Sequence, residues 1–282
     1  MEDISQGAER VRISFSGTAE DAHAAVEGFT YVCSSIADGQ IVGSECAYDG
    51  CDHTGLSCDD VVCGCVGVHG AAYKRDGTGM LDPSVDDHMP IFECNSNCSC
   101  EASCWNRVVG RGLRWKVFVA KHAIRSKGFM LASLDFIPKG AFVLEYAGEI
   151  IRADEAERRW EYQRKLKLPN YIICIREHTT SRIFRTNIDP SVVGNAARFI
   201  NHSCEPNLAF RTVRINSMIP SAALFATQDI PAGQELTFDY GDACLISGED
   251  ASLDSRIEKD DRIRCDCGAP SCRQFLPYDV TL

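Results

Sequence analysis

Arg198-Phe199-Ile200-Asn201-His202-Ser203-Cys204-Glu205-Pro206-Asn207 decides how the rest of this chain is read. The stretch sets a guanidinium, two amides, an imidazole, a thiol and a carboxylate in a segment interrupted by proline. Asn, Ser and Pro favour turns, so it makes a poor helix and a poor strand. Ten arbitrary residues of this kind would form a polar surface loop. The segments on either side supply what such a loop needs around it.

At 282 residues the chain accommodates one large domain, or a medium domain with small appendages. A hydrophobic content of 45% with 24% charged residues describes an ordinary globular protein. No apolar run approaches membrane-spanning length, and Met1-Glu2-Asp3-Ile4-Ser5 lacks the features of a signal peptide. The net charge of −11 is concentrated at the front, where residues 1–60 hold twelve acids against Arg10 and Arg12. That distribution argues against DNA phosphate as the main partner, and it suits a basic substrate or a solvated acidic tail.

Sixteen cysteines without a secretory signal point to metal rather than disulfides. Cys51, Cys58, Cys63 and Cys65 form one group, and Cys94, Cys98, Cys100 and Cys104 a second. Neighbours at i and i+2, as in Cys63-x-Cys65 and Cys98-x-Cys100, seldom reach disulfide geometry with each other. Closely spaced loop thiolates are good zinc ligands, and metal binding supplies folding energy that a small core lacks. Near the C-terminus, Cys265-x-Cys267-x4-Cys272 supplies three ligands, one short of tetrahedral zinc.

Elsewhere the pattern predicts a mainly β protein with short strands. Residues 1–45 show no sustained periodicity, reading as an acidic, partly disordered extension in which Phe29, Tyr31 and Val32 are the cluster able to dock. Leu113, Trp115, Val117 and Val119 alternate as a strand. Ile137-Pro138-Lys139-Gly140, leading to Glu145-Tyr146, is echoed by Ile230-Pro231-Ala232-Gly233, leading to Asp239-Tyr240. Both read as proline–glycine turns feeding strands. Asp154 to Lys167 is the clearest helix, acids early and bases late, with its charge on a solvated face. Tyr171 to Ile175 reads as a short buried strand with Cys174 as a core thiol.

The central stretch resembles the Arg-Phe-x-Asn-His-Ser-Cys-x-Pro-Asn signature of the SET-domain protein lysine methyltransferases. Phe92-Glu93-Cys94-Asn95, Asn106-Arg107-Val108-Val109, Glu145-Tyr146-Ala147-Gly148-Glu149 and Phe275-Leu276-Pro277 extend the likeness toward the heterochromatin-type members. The resemblance implies a mainly β fold with short helices, in which the central loop and the Tyr240 segment thread together in a pseudoknot. It divides the chain into an extension (1–45), a zinc-cluster pre-SET module (46–120), the SET catalytic domain (121–243), a linker (244–264) and a zinc-binding post-SET module (265–282). In the family, nine pre-SET cysteines hold three zinc ions. Here His53 stands at one of those nine positions, and Cys46 or Cys33 could replace it. The expected ligands are therefore Cys51, His53, Cys58, Cys63, Cys65, Cys94, Cys98, Cys100 and Cys104. Cys204 would complete the post-SET zinc with Cys265, Cys267 and Cys272.

The resemblance further implies an S-adenosylmethionine site formed by Lys127, Gly128, Phe129, Met130, Tyr171, Arg198, Asn201 and His202, with Tyr240 and Tyr171 as catalytic tyrosines. Met130 stands where the family has a second glycine. If that position requires positive φ or contact with the cofactor, a side chain opposes it, and a chromatin-binding scaffold that has lost the cofactor becomes the rival class. Phe238 occupies the family's Phe/Tyr position, which implies di- or trimethylation. The implied partners are the histone H3 tail, at lysine nine foremost, and chromatin, in a nuclear and chromosomal setting. Neither a membrane nor sequence-specific DNA is among them.

Overall fold

The computed structural model describes residues 3–37, 49–52, 58, 63–87, 89–178, 183–241 and 263–277. In chain order these form β1 (Ser14–Ser16), α1 (Ala19–Val26), β2 (Thr30–Tyr31), β3 (Ile36–Ala37), α2 (Gly64–His69), β4 (Ile91–Phe92), β5 (Val117–Lys121), β6 (Phe129–Ser133), β7 (Phe142–Glu145) and β8 (Gly148–Ile151). There follow α3 (Ala153–Leu166), β9 (Ile173–His178), β10 (Ile183–Gly194), β11 (Asn201–His202), β12 (Leu208–Arg214), β13 (Ser221–Ala226) and β14 (Thr237–Phe238). Strands dominate and most are short, as the turn-rich sequence predicts.

Three sheets share one apolar core. The first has the order β1-β5-β6. The second runs β2-β10-β8-β3, with β9 paired to β10, and the third runs β11-β14-β12-β13-β7, with β4 paired to β12. The alternation read at 113–119 is real: Leu113, Val117 and Val119 are buried, and Trp115 packs beside them while donating to Phe142 O at 2.7 Å. The two proline–glycine turns meet each other. Ile137 and Ile230 exchange backbone hydrogen bonds of 2.9 and 2.8 Å, so each turn braces the strand that the other launches.

The acidic front segment departs from expectation, because residues 14–37 carry three strands and a helix. Each piece is too short for periodicity to register, and each of the three strands gains its backbone partners from a distant strand. Ser14 pairs opposite Phe118, Tyr31 opposite Gly194, and Ile36 opposite Glu149. Thr18 caps α1 by accepting from Asp21 N at 3.1 Å.

Helix α3 lies where the charge pattern puts it, but its charge is not wholly solvated. Arg159 donates to Glu149 at 2.7 Å, to Glu155 at 2.7 Å and to Asp189 at 2.8 Å, and the Asp189 side chain is 1% exposed. One guanidinium thus ties the helix to β8 and β10. Burial lowers the Arg159 pKa, but the three carboxylates outweigh it and hold the group above its usual range. Cys174 is a core thiol, 1% exposed. Two stretches that carried the family likeness also touch. Glu93 accepts from the backbone N–H of Val108, Val109 and Gly110 at 3.1, 2.7 and 3.0 Å, and from Tyr73 Oη at 2.5 Å. A buried carboxylate needs such donors, and this one ties the 73, 93 and 108–110 parts of the cysteine-rich module to one another.

Candidate active site and thiol clusters

The central stretch becomes a turn, a two-residue strand and a second turn. Asn195 opens it, its Oδ1 accepting from Ala197 N at 3.0 Å to cap the 3₁₀ turn Ala196–Phe199. β11 then pairs in parallel with β14, Asn201 opposite Thr237 and His202 opposite Phe238. Pro206 cannot continue the ladder. Asn207 extends it with its side chain instead, donating to Glu235 O at 2.8 Å and accepting from Thr237 N at 2.8 Å. The loop is locked against the 235–240 segment without a long strand, a pairing that local propensity does not reveal.

This lock brings the expected residues together. Tyr240 Oη donates to Ile200 O at 3.1 Å, and Tyr240 N donates to His202 Nδ1 at 3.2 Å. Phe238 is 2% exposed. It packs against Tyr240, Phe210 and Tyr146 with ring centroids 4.8, 4.9 and 5.8 Å away. Tyr146 donates to Tyr171 O at 2.7 Å. Arg198 lies over the rings of Phe29, Tyr171 and Phe199 at 4.4, 4.8 and 5.5 Å. Phe29 from the front segment therefore does dock, and it docks at the site.

The electrostatics follow from this apolar setting. Burial pushes the Tyr240 hydroxyl well above the ordinary phenol range, with Tyr171 and Glu235 adding to the effect. Burial likewise lowers the His202 pKa, against the opposing pull of Asp239. In the neutral tautomer Nδ1 accepts from Tyr240 N, and Nε2 faces the Cys204 sulfur at 3.3 Å. Asp239 Oδ1, at 3.6 Å from Nδ1, is then a neighbour rather than an ion-pair partner.

Glu235 organises the expected cofactor loop. Its Oε1 accepts from Asn201 at 2.8 Å, and its Oε2 lies 3.5 Å from Lys127 Nζ and 3.3 Å from His122 Nε2. Asn201 also donates to Phe129 O at 3.0 Å. Glu235, Tyr146 and His122 are site residues that sequence reasoning missed. The only signal for Glu235 was its place four residues before Asp239 in the second turn-and-strand echo.

Gly128 takes φ +67°, and a Cβ added there would meet nothing within 4 Å. Met130 does not share that conformation. It pairs with Ala120 inside β6, and among the described non-glycine residues positive φ occurs only at Gln6, Lys167 and Gln274. The conformational objection to Met130 therefore falls away.

The thiols gather as expected. Sγ atoms of Cys51, Cys94, Cys98 and Cys100, of Cys51, Cys58, Cys63 and Cys94, and of Cys58, Cys94, Cys100 and Cys104 lie within 4.8 Å of one another in each group. Cys65 joins through Cys98 at 3.7 Å. Cys94 occurs in all three groups and Cys51, Cys58 and Cys100 in two each, so the groups share thiols as a bridged cluster would. Cys204, Cys265, Cys267 and Cys272 make a further group, with Cys204 and Cys265 at 3.9 Å. Tetrahedral zinc with bonds of about 2.3 Å needs sulfurs about 3.8 Å apart, so these donor sets fit that ion. Cys33 is not among the grouped thiols and donates to Ala8 O at 3.1 Å, which removes it as a substitute ligand. His53 and Cys46 lie outside the described residues.

A β scaffold that locks an Asn-His-Ser-Cys loop beside a tyrosine, with one thiol group on each side, defines the SET-domain class. The family model of the SET domain matches residues 128–241, and that of the Pre-SET motif matches residues 5–107. Histone-lysine N-methyltransferase SETMAR of Rattus norvegicus is 42% identical over 245 residues, covering 85% of this chain and 75% of that protein. The crystal structure of the methyltransferase domain of human SETMAR is 36% identical with a TM-score of 0.81, covering 99% of this chain and 98% of that one. KRYPTONITE in complex with mCHH DNA, H3(1-15) peptide and SAH is 31% identical with a TM-score of 0.75, covering 98% of this chain and 54% of that one. The chain belongs to the SET-domain histone-lysine N-methyltransferases, of the type that carries a pre-SET module.

Proposed function

We propose that this methyltransferase acts on the histone H3 tail, foremost at lysine nine, uses S-adenosylmethionine, and adds at least two methyl groups. The observation that carries the reading is the parallel pairing of β11 with β14, which sets Tyr240 against the Ile200 carbonyl and beside Phe238. The H3 peptide and SAH bound to KRYPTONITE support the substrate and cofactor class. A histone substrate places the protein in the nucleus, on chromosomes. In the family arrangement the pre-SET thiols hold three zinc ions and the post-SET group holds one.

The residues fit the cofactor. Arg198 Nε is buried without a hydrogen-bond partner, and the space beside Gly128 is open. Lys127, Gly128, Phe129, Met130, Tyr171, Arg198, Asn201 and His202 would hold it, several through their backbone. When bound, S-adenosylmethionine supplies a methyl group on a positively charged sulfur.

The chain's own contribution is to prepare the amine. A free lysine near neutral pH is protonated and has no lone pair to attack with. The aromatic wall of Tyr146, Phe210, Phe238 and Tyr240 excludes water, and desolvation lowers an amine's pKa as it raises that of the Tyr240 hydroxyl. Tyr240 therefore stays protonated. With its proton given to Ile200 O, its lone pairs are left to accept from the incoming amine, so it aligns rather than abstracts. Alignment of this kind is worth up to about 7–11 kcal/mol. Phe238 offers no hydroxyl to anchor the amine, which leaves a methylated amine free to turn.

The test is mass spectrometry of an H3 tail peptide after incubation with the protein and S-adenosylmethionine. Mass gains of two or three methyl groups, mapped by fragmentation to lysine nine, are expected. A product that stops at monomethyl-lysine, or one methylated at another residue, would overturn the corresponding half of the reading.

A further inference from the structure

Away from the methyl-transfer site, three arginines converge on a cavity of about 260 Å³ between the front segment, the 77–79 turn and the 108–114 stretch. Arg10, Arg111 and Arg114 all line it, and none of them has a carboxylate partner among the described residues. Arg10 is exposed, and its side chain has no hydrogen bond or ion pair among the described residues. Arg111 donates only to backbone, to Ala102 O at 3.2 and 3.1 Å and to Cys104 O at 2.6 Å. Arg114 donates to Thr78 O at 3.0 Å and stacks its guanidinium 4.5 Å from the Trp115 ring.

In a chain of net charge −11 this is an unexpected place to leave three cations uncompensated. Two acids adjoin the lining, Glu9 beside Gly112 and Asp76 beside Thr78, but their recorded bonds go to Tyr31 Oη at 2.9 Å and to Thr78 N at 2.9 Å rather than to the three arginines. Arg111 and Arg114 also repel each other, and that repulsion, added to burial, holds the Arg114 pKa below its ordinary value. Like charges held together by backbone bonds and stacking are preorganised for an anion, because the cost of assembling them is met by the fold. Arg111 Nη1, Arg114 Nη2 and every donor of Arg10 remain available. The glycines at 77, 79 and 112 keep the walls low around them.

We infer that this cleft binds the phosphodiester backbone of duplex DNA, without reading sequence, and so seats the protein on the nucleosome that carries its histone substrate. Guanidinium forks match phosphate oxygens, and phosphate contacts orient a protein on a duplex without specifying bases. The acidic remainder of the chain repels DNA, so this basic spot sets the orientation. The nucleosome part of the inference rests on the histone-substrate reading, whereas the DNA contact does not.

The experiment is fluorescence anisotropy with a labelled duplex of about 20 base pairs, using the full chain with its zinc, alongside methylation of H3 tail peptide and of nucleosomes. Three phosphate contacts predict a fall in affinity of about 40-fold between about 50 and 200 mM salt. Arg10→Glu, which breaks no contact in the fold, should weaken duplex binding by about 10-fold and flatten the salt dependence. Arg114→Gln, which keeps an amide donor for Thr78 O, should weaken it by about 5-fold. Nucleosome methylation should fall in proportion, while methylation of the free tail peptide stays within about 2-fold of the parent. Lys165→Glu changes net charge as much as Arg10→Glu but lies on α3 and does not line the cleft. Equal loss with Lys165→Glu would reduce the effect to net charge and overturn the site. No duplex binding by the parent would overturn it outright. Loss of nucleosome binding on Arg10→Glu without any duplex binding would reassign the cleft to an acidic histone surface.

Discussion

Arg273 and Asp239 are joined through a single nitrogen: Nη2 of Arg273 lies 2.6 Å from each carboxylate oxygen. Asp239 precedes Tyr240, and its Oδ1 also accepts from Gly241 N at 2.9 Å. Arg273 follows Cys272, and its own N–H donates to Cys204 Sγ at 3.3 Å. The post-SET tail is therefore tied to Asp239, the residue before Tyr240, by a contact separate from the thiol group, with Ser271 Oγ to Glu205 at 2.7 Å and Ser126 Oγ to Asp266 at 2.7 Å beside it.

Removing the clamp should affect turnover more than binding. Arg273→Ala is expected to lower kcat about 10-fold, roughly 1.4 kcal/mol in the barrier, with a smaller change in the peptide KM. Because one nitrogen makes both contacts, Arg273→Lys should recover most of that loss. Steady-state kinetics with zinc analysis of each variant checks this. A lysine variant as slow as alanine, or loss of zinc with either, would show that the arginine serves only to fold the tail.

Phe238→Tyr should convert the enzyme to one that stops after a single methyl. The Phe238 ring is enclosed by Tyr146, Phe210 and Tyr240, so in the proposed reading an added hydroxyl competes with the amine for the room beside Tyr240. It would hold a water or the amine itself and exclude the turn that a methylated amine needs. Product mass distributions at equal turnover decide the matter, and a variant still making dimethyl-lysine as its main product contradicts the assignment.

Gly128 and Met130 should respond in opposite ways to substitution. Gly128→Ala forces a side chain onto a φ of +67°, costing about 1–3 kcal/mol of stability from the backbone alone, because the added Cβ clashes with nothing. Met130→Gly removes a side chain from a regular strand, costing about 1 kcal/mol, and should change cofactor affinity by less than about 3-fold. Denaturant titration and calorimetry of cofactor binding measure both quantities. A large gain in affinity for Met130→Gly would restore the view that Met130 obstructs the site.

That contrast also shows where the sequence was legible. Cysteine spacing marked the thiols, because metal ligation demands fixed residue types at fixed separations, whereas the loop and Tyr240 were marked by likeness to the family signature. The sequence could not tell which backbone conformation Met130 takes, since one residue's φ depends on the strand beside it, here through Ala120. It missed β1, β2 and β3, whose two- and three-residue lengths carry no periodicity and whose partners lie far along the chain. It missed Glu235 for the same reason: a carboxylate gains its role from Asn201, Lys127 and His122, brought to it by the fold. The charge of α3 was read as solvated because nothing local announces that Arg159 reaches the buried Asp189.

That ion pair carries a measurable load. Arg159→Met keeps much of the side-chain volume but leaves Asp189 buried beside β8 with its Oδ2 unpaired, while Oδ1 still accepts from Ser191. Loss of one partner from a buried pair costs about 3–5 kcal/mol, and the partial exposure of Arg159, 26% of its side chain, reduces this to about 2 kcal/mol. Chemical denaturation should show that loss without a change in the unfolding slope. A change below about 0.5 kcal/mol would mean that α3 is held by packing alone.

Chelation should separate the two thiol assemblies. The pre-SET thiols are buried, apart from the partly exposed Cys98, whereas Cys204, Cys265, Cys267 and Cys272 are all partly exposed. A competing chelator should therefore strip the post-SET ion first. At that stage the tail loses its anchor at Cys204 and only the polar clamps remain, so activity should fall while the β core, measured by far-UV circular dichroism and its melting transition, persists. Loss of the pre-SET ions at higher chelator concentration should then unfold the cysteine-rich module, whose buried cluster consists almost wholly of thiols and has little apolar core of its own. Activity and melting lost together in one step would show that the two assemblies are not independent. Cys204→Ser offers the complementary check, since it should remove one zinc equivalent and most activity while leaving the melting transition of the core in place.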